Sequence, residues 1–248
     1  MSGTDAADAA RAALEPLLAD APDVAGLLPP GALDRLERYV ALLLEANARL
    51  NLTRVTAPHE VARWHLLDSL AALPLLSETD GAVADLGSGG GLPAIPLAIA
   101  RPDLRWTLVE SVEKKAAVLR GFAEALSLPH VAVVAERAEG LGRDPRHRER
   151  YAAVTARAVA ALPVLAELAL PLLIPGGRLL AWKGPLTEDS EEVRRGRVAI
   201  GQLGGGRLEV RAALPALGDH TFVAVPKVGP TPARFPRRPG EPSRRPLG

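Results

Sequence analysis

From residue 81 to residue 227 short apolar runs take turns with amphipathic segments. The runs predict strands over 82–86, 105–110, 131–135, 152–155 and 178–183. Between them the pattern predicts helices over 93–100, 112–127 and 162–173, the last stopped by Pro175-Gly176-Gly177. A polar helix near 188–201 and two closing strands, 207–213 and 221–226, complete the region. Strands alternating with helices form a parallel sheet covered on both faces. The closing pair follows directly in sequence, so it predicts a hairpin and an antiparallel edge. The expectation is an α/β fold with a seven-stranded, mostly parallel sheet.

Helical spacing governs residues 1–80 instead. Leu33, Leu36, Tyr39, Val40, Leu43 and Leu44 recur at three and four residues, and a second helical stretch runs over 60–76. Asn51-Leu-Thr53 predicts the turn between them. Pro16 weakens a short helix over 12–18, and the first thirty residues predict a loose helical appendage. Beyond 227, prolines at 230, 232, 236, 239, 242 and 246 argue against any sheet or helix. Arg234, Arg237, Arg238, Arg244 and Arg245 face only Glu241 there, a net +4, which leaves −3 for the rest of a chain whose total is +1. A basic extended tail on a mildly acidic body suits a polyanion, and equally suits a solvated end. On the first of these readings the tail grips the polyanion and takes no part in any other ligand site. Arg143 to Arg150, with four arginines, is a second basic segment or a solvated loop. The expected division is therefore 1–80, 81–227 and 228–248.

Composition removes several functions. There is no cysteine, hence no disulfide, no Cys-ligated zinc and no Cys nucleophile. Aromatic residues are 3% of the chain, too few for a base-stacking sheet of the RRM kind. The histidines at 59, 65, 130, 147 and 220 lack ligand spacing, so no metal site is expected. The apolar stretch 160–174 contains Glu167 and two prolines, which argues against a membrane span. The first ten residues carry two Asp and no Lys or Arg, unlike a signal peptide, so the expected location is the cytoplasm. Nothing demands a dimer, and a monomer is expected.

The chemistry concentrates at Asp85-Leu-Gly87-Ser88-Gly89-Gly90-Gly91-Leu92. A glycine turn after a buried strand lets a ligand approach the backbone closely. The fit to G-x-G-x-x-G is imperfect from Gly87, and counting from Gly89 gives G-x-G-x-x-A ending at Ala94. Glu110 closes the next strand, 19 residues past Gly91, where a carboxylate accepts ribose hydroxyls of NAD or S-adenosylmethionine alike. Asp85 discriminates between the two. It would repel a pyrophosphate but suits a cationic sulfonium ligand with an amino group. Glu136-Arg-Ala138-Glu139, after the third strand, suits an adenine edge. The missing Cys excludes cytosine-C5 chemistry, and Thr155-Ala-Arg157-Ala replaces the Asn/Asp-Pro-Pro motif of exocyclic-amine methylation. A guanine N7 already has an in-plane lone pair and needs placement, not a base. Arg157 and Lys183, at strand ends, are candidates near such an acceptor, or form surface salt bridges. His65 and Asp68 share a helix face, a spacing that suits a structural hydrogen bond better than catalysis.

Several of these stretches resemble one family, the bacterial 16S rRNA guanine-N7 methyltransferases known as RsmG or GidB. The resemblance runs in order through Asn51-Leu-Thr53, Arg63-Trp-His65-Leu-Leu-Asp68-Ser69-Leu70 and Asp85 to Pro93. It continues with Ile95-Pro96-Leu97, Leu108-Val-Glu110-Ser111, Lys114-Lys115 and Arg137-Ala138-Glu139. Ala156-Arg157-Ala158, Lys183-Gly184 and the tail Phe235 to Gly240 with Pro246-Leu247 complete it, so it covers residues 35–248. It implies a Rossmann-like class I S-adenosylmethionine-dependent methyltransferase fold with an N-terminal helical extension. It implies methyl transfer to N7 of the guanine at position 527 of 16S rRNA, in naked rRNA or a small ribosomal subunit. Gly87, Leu92, Ala138, Glu139 and Arg157 fall on the family's cofactor positions, and Asp85, Ser88 and Gly89 belong to the same turn. Glu110 and Ser111 fit its ribose contact, and Lys183 and Arg157 would lie near the guanine. Ala94 stands where the family usually has glycine. A small-molecule methyltransferase and a nonenzymatic RNA-binding protein that keeps the pocket remain alternatives, with a NAD oxidoreductase further off.

Overall fold

The computed structural model describes residues 3–248; the first two residues of the expected helical extension lie outside them. Seven strands form one sheet: β1 (Ala82–Leu86), β2 (Arg105–Val109), β3 (Val131–Val134), β4 (Tyr151–Arg157), β5 (Leu173–Lys183), β6 (Glu209–Ala212) and β7 (Thr221–Pro226). Their spatial order is β3-β2-β1-β4-β5-β7-β6. The first five are parallel, and β7 runs antiparallel to both β5 and β6. The predicted alternation and the antiparallel edge are both present.

Successive side chains of a strand point to opposite faces, and the core divides accordingly. Val83 of β1 with Trp106 and Leu108 of β2 packs into one cluster, and Ala84, Leu86 and Val109 into the other. The first face is covered by the N-terminal helices together with Ala94–Ala100 and Glu113–Ala125. The second is covered by Leu162–Ala169, Glu191–Gln202 and the tail residue Phe235.

The first thirty residues are no loose appendage. Helix Gly3–Ala19 runs straight through Pro16 and buries Ala7, Ala10, Leu14 and Leu18 at helical spacing. Those side chains join the same core cluster as Val83 and Trp106, so burial outweighs the backbone bond that Pro16 forgoes. Leu14→Ala should therefore lower stability by about 2–5 kcal/mol, read as an earlier urea midpoint of the whole chain. An unchanged midpoint would separate this helix from the cooperative unit.

Three other boundaries differ from the expectation. The stretch 60–76 breaks into Pro58–Val61, a π-helical turn Ala62–Leu67, Asp68–Leu70 and Leu73–Leu76. Helix Leu162–Ala169 ends early, through a 3-10 turn at Leu170–Leu172 that contains Pro171. β5 starts at Leu173 and keeps Pro175-Gly176-Gly177 within it as an irregularity, where pairing shifts from Tyr151↔Leu173 to Ala153↔Arg178.

The tail also departs from expectation. It contains a short helix, Glu241–Arg244, and lies docked on the second face. The second basic segment holds it there. Arg148 donates to the carbonyls of Phe235 (2.7 Å) and Thr231 (2.7 Å), and Arg143 to that of Pro236 (2.8 Å). The buried ammonium of Lys227 donates to the Leu170 and Leu203 carbonyls and to Thr231. Arg237 meets the fully buried Glu167 through both carboxylate oxygens. Glu167, the charge that interrupts the apolar run, is thus the tail's anchor. Among the described residues, no helix is long and apolar enough to cross a membrane.

Candidate active site

The C-terminal ends of the parallel strands meet at two neighbouring cavities. At the β1 end the chain turns sharply through Gly87 (φ 68°), Gly89 (φ 54°) and Gly91 (φ 95°). A Cβ on Gly91 would lie 2.7 Å from Ile95 Cγ1, so no other residue fits there unchanged. The N-terminal layer backs this turn. Tyr39, fully buried, donates to the Gly90 carbonyl at 2.9 Å, and its ring packs edge-on to Phe122.

Glu110 braces the turn from the side. Its carboxylate accepts from the Gly89 N–H (3.0 Å) and from the Val112 N–H (2.8 Å). Each oxygen keeps a further lone pair for a ligand hydroxyl. Asp85 is buried on the sheet face turned to the N-terminal helices. Its Oδ1 accepts from Thr155 Oγ1 at 2.7 Å, and its Oδ2 is buried without a partner. Burial pushes the Asp85 carboxyl up to about 6, against the hydrogen bonds that pull it down. An unpaired buried carboxylate oxygen beside a glycine turn is an atom waiting for a cationic donor.

The first cavity, about 270 Å³, opens beside Gly87 and is lined by Ser111, Ala138, Glu139 and Val159 among others. Ser243 of the tail also lines it. Glu139 is buried and accepts the Gly240 N–H at 2.8 Å, so the tail is fastened to the cavity wall. The tail is therefore not independent of this pocket, contrary to the expectation from its charge.

The second cavity, about 280 Å³, is lined by Asp68, Arg157, Trp182, Lys183 and His220. Val159 and Ala160 line both cavities. Asp68, with its side chain 3% exposed, organises this wall. Its Oδ2 pairs with Arg157 Nη1 at 2.8 Å and its Oδ1 with His220 Nδ1 at 3.1 Å, while its carbonyl accepts from Trp182 Nε1. Arg157 Nη1 also donates to the Trp64 carbonyl. Lys183 Nζ donates to the Ala160 carbonyl and to Glu192. Ala158, directly after Arg157, has φ 57°, a left-handed conformation that costs a non-glycine residue about 1–2 kcal/mol.

Gly87, Ser111, Ala138 and Glu139 thus line the first cavity, with Asp85, Ser88, Gly89 and Glu110 in the adjoining turn. Leu92 is turned into the core. Arg157 and Lys183 line the second cavity rather than the first. His65 and Asp68 do not bond each other: His65 Nε2 meets Thr53 Oγ1, across the predicted Asn51-Leu-Thr53 turn. Ser243, Val159 and His220 line the cavities and Thr155 holds Asp85, beyond the residues expected there. No local pattern marks any of them. No cluster of three or more His, Cys, Asp or Glu side chains suited to a metal occurs among the described residues.

A mostly parallel sheet in this order, with antiparallel β7 set between β5 and β6, a glycine turn after β1 and a carboxylate after β2, is the arrangement of the class I S-adenosylmethionine-dependent methyltransferases. The chain belongs to the family described as GidB, rRNA small subunit methyltransferase G, whose model matches residues 32–210. It is 49% identical to the ribosomal RNA small subunit methyltransferase G of Deinococcus deserti, over 95% of this chain and 96% of that one. It is 48% identical to the protein of the same name from Pelotomaculum thermopropionicum, over 86% and 90%. The first match reaches into the N-terminal thirty residues, where none was expected. An O-methyltransferase from Bacillus cereus, solved in complex with SAH, shares the fold with a TM-score of 0.50 and 19% identity, over 75% of this chain and 89% of that one.

Proposed function

We propose that this protein transfers the methyl group of S-adenosylmethionine to N7 of a guanine in 16S rRNA, position 527 by its resemblance to the family. The observation that carries the reading is the pair of cavities that share Val159 and Ala160. One adjoins carboxylates suited to a cationic nucleoside, and the other is walled by cations suited to an electron-rich base edge. S-adenosylmethionine supplies, when bound, a methyl group on a positively charged sulfur. Asp85 faces its amino end with an unpaired oxygen, Glu110 and Ser111 take the ribose hydroxyls, and Ala138 and Glu139 border the adenine. Gly87, Ser88, Gly89 and Leu92 shape the turn. Arg157 and Lys183 fix the acceptor cavity and bind the base edge away from N7. No residue needs to remove a proton, because N7 carries none.

Arg234, Arg238, Arg244 and Arg245 remain exposed on the docked tail and give the rRNA phosphates a basic approach beside the cleft. The protein works as a monomer in the cytoplasm, on rRNA or the small subunit. The test is transfer of labelled methyl from S-adenosylmethionine to small ribosomal subunits, with the modified nucleotide mapped. Label on one guanine N7 supports the reading; cofactor binding with no label on rRNA overturns it.

Asp85 also sets a pH dependence. Below about 6 it takes up a proton and loses the charge that the cofactor's amino group meets. Cofactor affinity should be about tenfold weaker at pH 5 than at pH 7, and Asp85→Asn should flatten the profile. Unfolding does not mimic this. A carboxyl raised in the folded state adds stability that is full below the ordinary 3.8 and is lost as pH rises through about 6. His65, lowered by burial to about 4, loses stability as pH falls from 6.5 through 4, so the two oppose each other over that window. Calorimetric titration at both pH values checks the prediction, and equal affinities would remove Asp85 from the amino-group site.

A further inference from the structure

The acceptor cavity carries a donor and an acceptor side by side, fixed by one carboxylate. Asp68 holds Arg157 on Oδ2 and His220 on Oδ1. Because a carboxylate only accepts, His220 Nδ1 carries the hydrogen, and in the imidazole with its hydrogen on Nδ1 the acceptor lone pair is on Nε2. Nε2 has no partner among the described residues, while both Asp68 oxygens are engaged. It is thus the one unengaged side-chain acceptor of the polar residues lining this cavity. Arg157 makes both of its bonds through Nη1, which leaves Nε and Nη2 as donors. The ring of His220 is set by Trp64, 4.9 Å away between centroids, and Trp64 lies under the Arg63 guanidinium. Trp64 sits in the π-helical turn, which is where such turns frequently serve a site.

We propose that Arg157 and His220, set side by side by Asp68, read the O6 and N1–H edge of the acceptor base and so select guanine over adenine. This rests on the guanine-N7 reading above. Guanine offers an acceptor, O6, next to a donor, N1–H. Adenine offers a donor, its amino group, next to an acceptor, N1, and so mismatches the pair at both positions. Reading this edge leaves N7 free for the methyl group. His220 is a specificity-determining residue in this account, and Asp68 and Trp64 are positioning residues.

The experiment compares the wild-type chain, His220→Ala and His220→Gln on small subunits reconstituted with either guanine or N1-methylguanine at the modified position. Wild type should lose about ten- to hundredfold in kcat/KM on N1-methylguanine, and His220→Ala should lose as much on ordinary guanine. The two losses combined should be no larger than either alone, since they remove the same hydrogen bond. His220→Gln, whose side-chain carbonyl accepts a hydrogen bond, should recover part of the rate. Cofactor affinity by calorimetry should be unchanged in both variants. Losses that multiply, or full kcat/KM for His220→Ala on guanine, overturn the assignment of His220 while leaving the function standing. No methyl transfer by wild type to any guanine overturns the function itself, and this inference with it.

Discussion

Arg157→Ala should destabilise the chain by about 3–5 kcal/mol and cut methyl transfer by about a hundredfold or more, while cofactor affinity changes little. The stability loss follows from Asp68. Its carboxylate is nearly fully buried, and without the guanidinium it keeps only His220 and becomes an undercompensated charge. The rate loss follows from position. The same Nη1 ties the Trp64 carbonyl to the end of β4, so its removal loosens the helical layer over the acceptor cavity. The cofactor cavity lies on the other side of Val159 and does not include Arg157. Urea unfolding, calorimetry with S-adenosylmethionine and single-turnover transfer to subunits read the three effects separately. Arg157→Lys keeps the charge but reaches less far than Nη1 and lacks the free Nε and Nη2 donors, so it should return much of the stability and less of the rate. A large fall in cofactor affinity would instead move Arg157 to the cofactor side, where the family resemblance alone would put it.

The parts of this protein legible in its sequence are those fixed by neighbours along the chain. β1 and its glycine turn, Glu110 at the next strand end and the antiparallel hairpin follow from local apolar runs, turn residues and spacing. Helix Gly3–Ala19 was hidden because Pro16 lowers its local propensity, and its stability comes from a core that the local pattern does not display. The π-helical turn was hidden for the opposite reason. Residues 60–76 have good helical spacing, yet Trp64 and Asp68 meet Arg157 of β4, Asp68 meets Trp182 of β5, and His65 meets Thr53 in the preceding loop. The wall of the acceptor cavity depends on pairs 89 and 152 residues apart, Asp68 with Arg157 and with His220. Charge counting leaves the tail a free basic end, for a polyanion or for solvent, because its anion, Glu167, lies 70 residues earlier inside an apolar run. Sequence arithmetic sees net charge, whereas docking depends on which charge is buried against which.

That buried pair leads to the second large effect. Arg237→Ala should release the tail, weaken S-adenosylmethionine binding by about tenfold, and cost up to about 3–5 kcal/mol of stability. The upper figure applies if Glu167 stays buried and unpaired. If the tail peels away first, water reaches the carboxylate and the cost is capped at the free energy of docking the tail. Cofactor affinity separates this from ordinary destabilisation. Once released, the tail withdraws Ser243 from the cavity wall and the Gly240 N–H from Glu139. Calorimetry gives the affinity, and hydrogen exchange at residues 235–247 reports the release. Released residues with an unchanged affinity would reduce the tail to a structural strap. A double replacement makes the test sharper. Glu167→Leu with Arg237→Met swaps the pair for apolar groups, and such swaps of buried pairs are often neutral or stabilising. It should restore both the docking and the affinity, because what the cofactor cavity requires of Arg237 is the tail's position and not the charge.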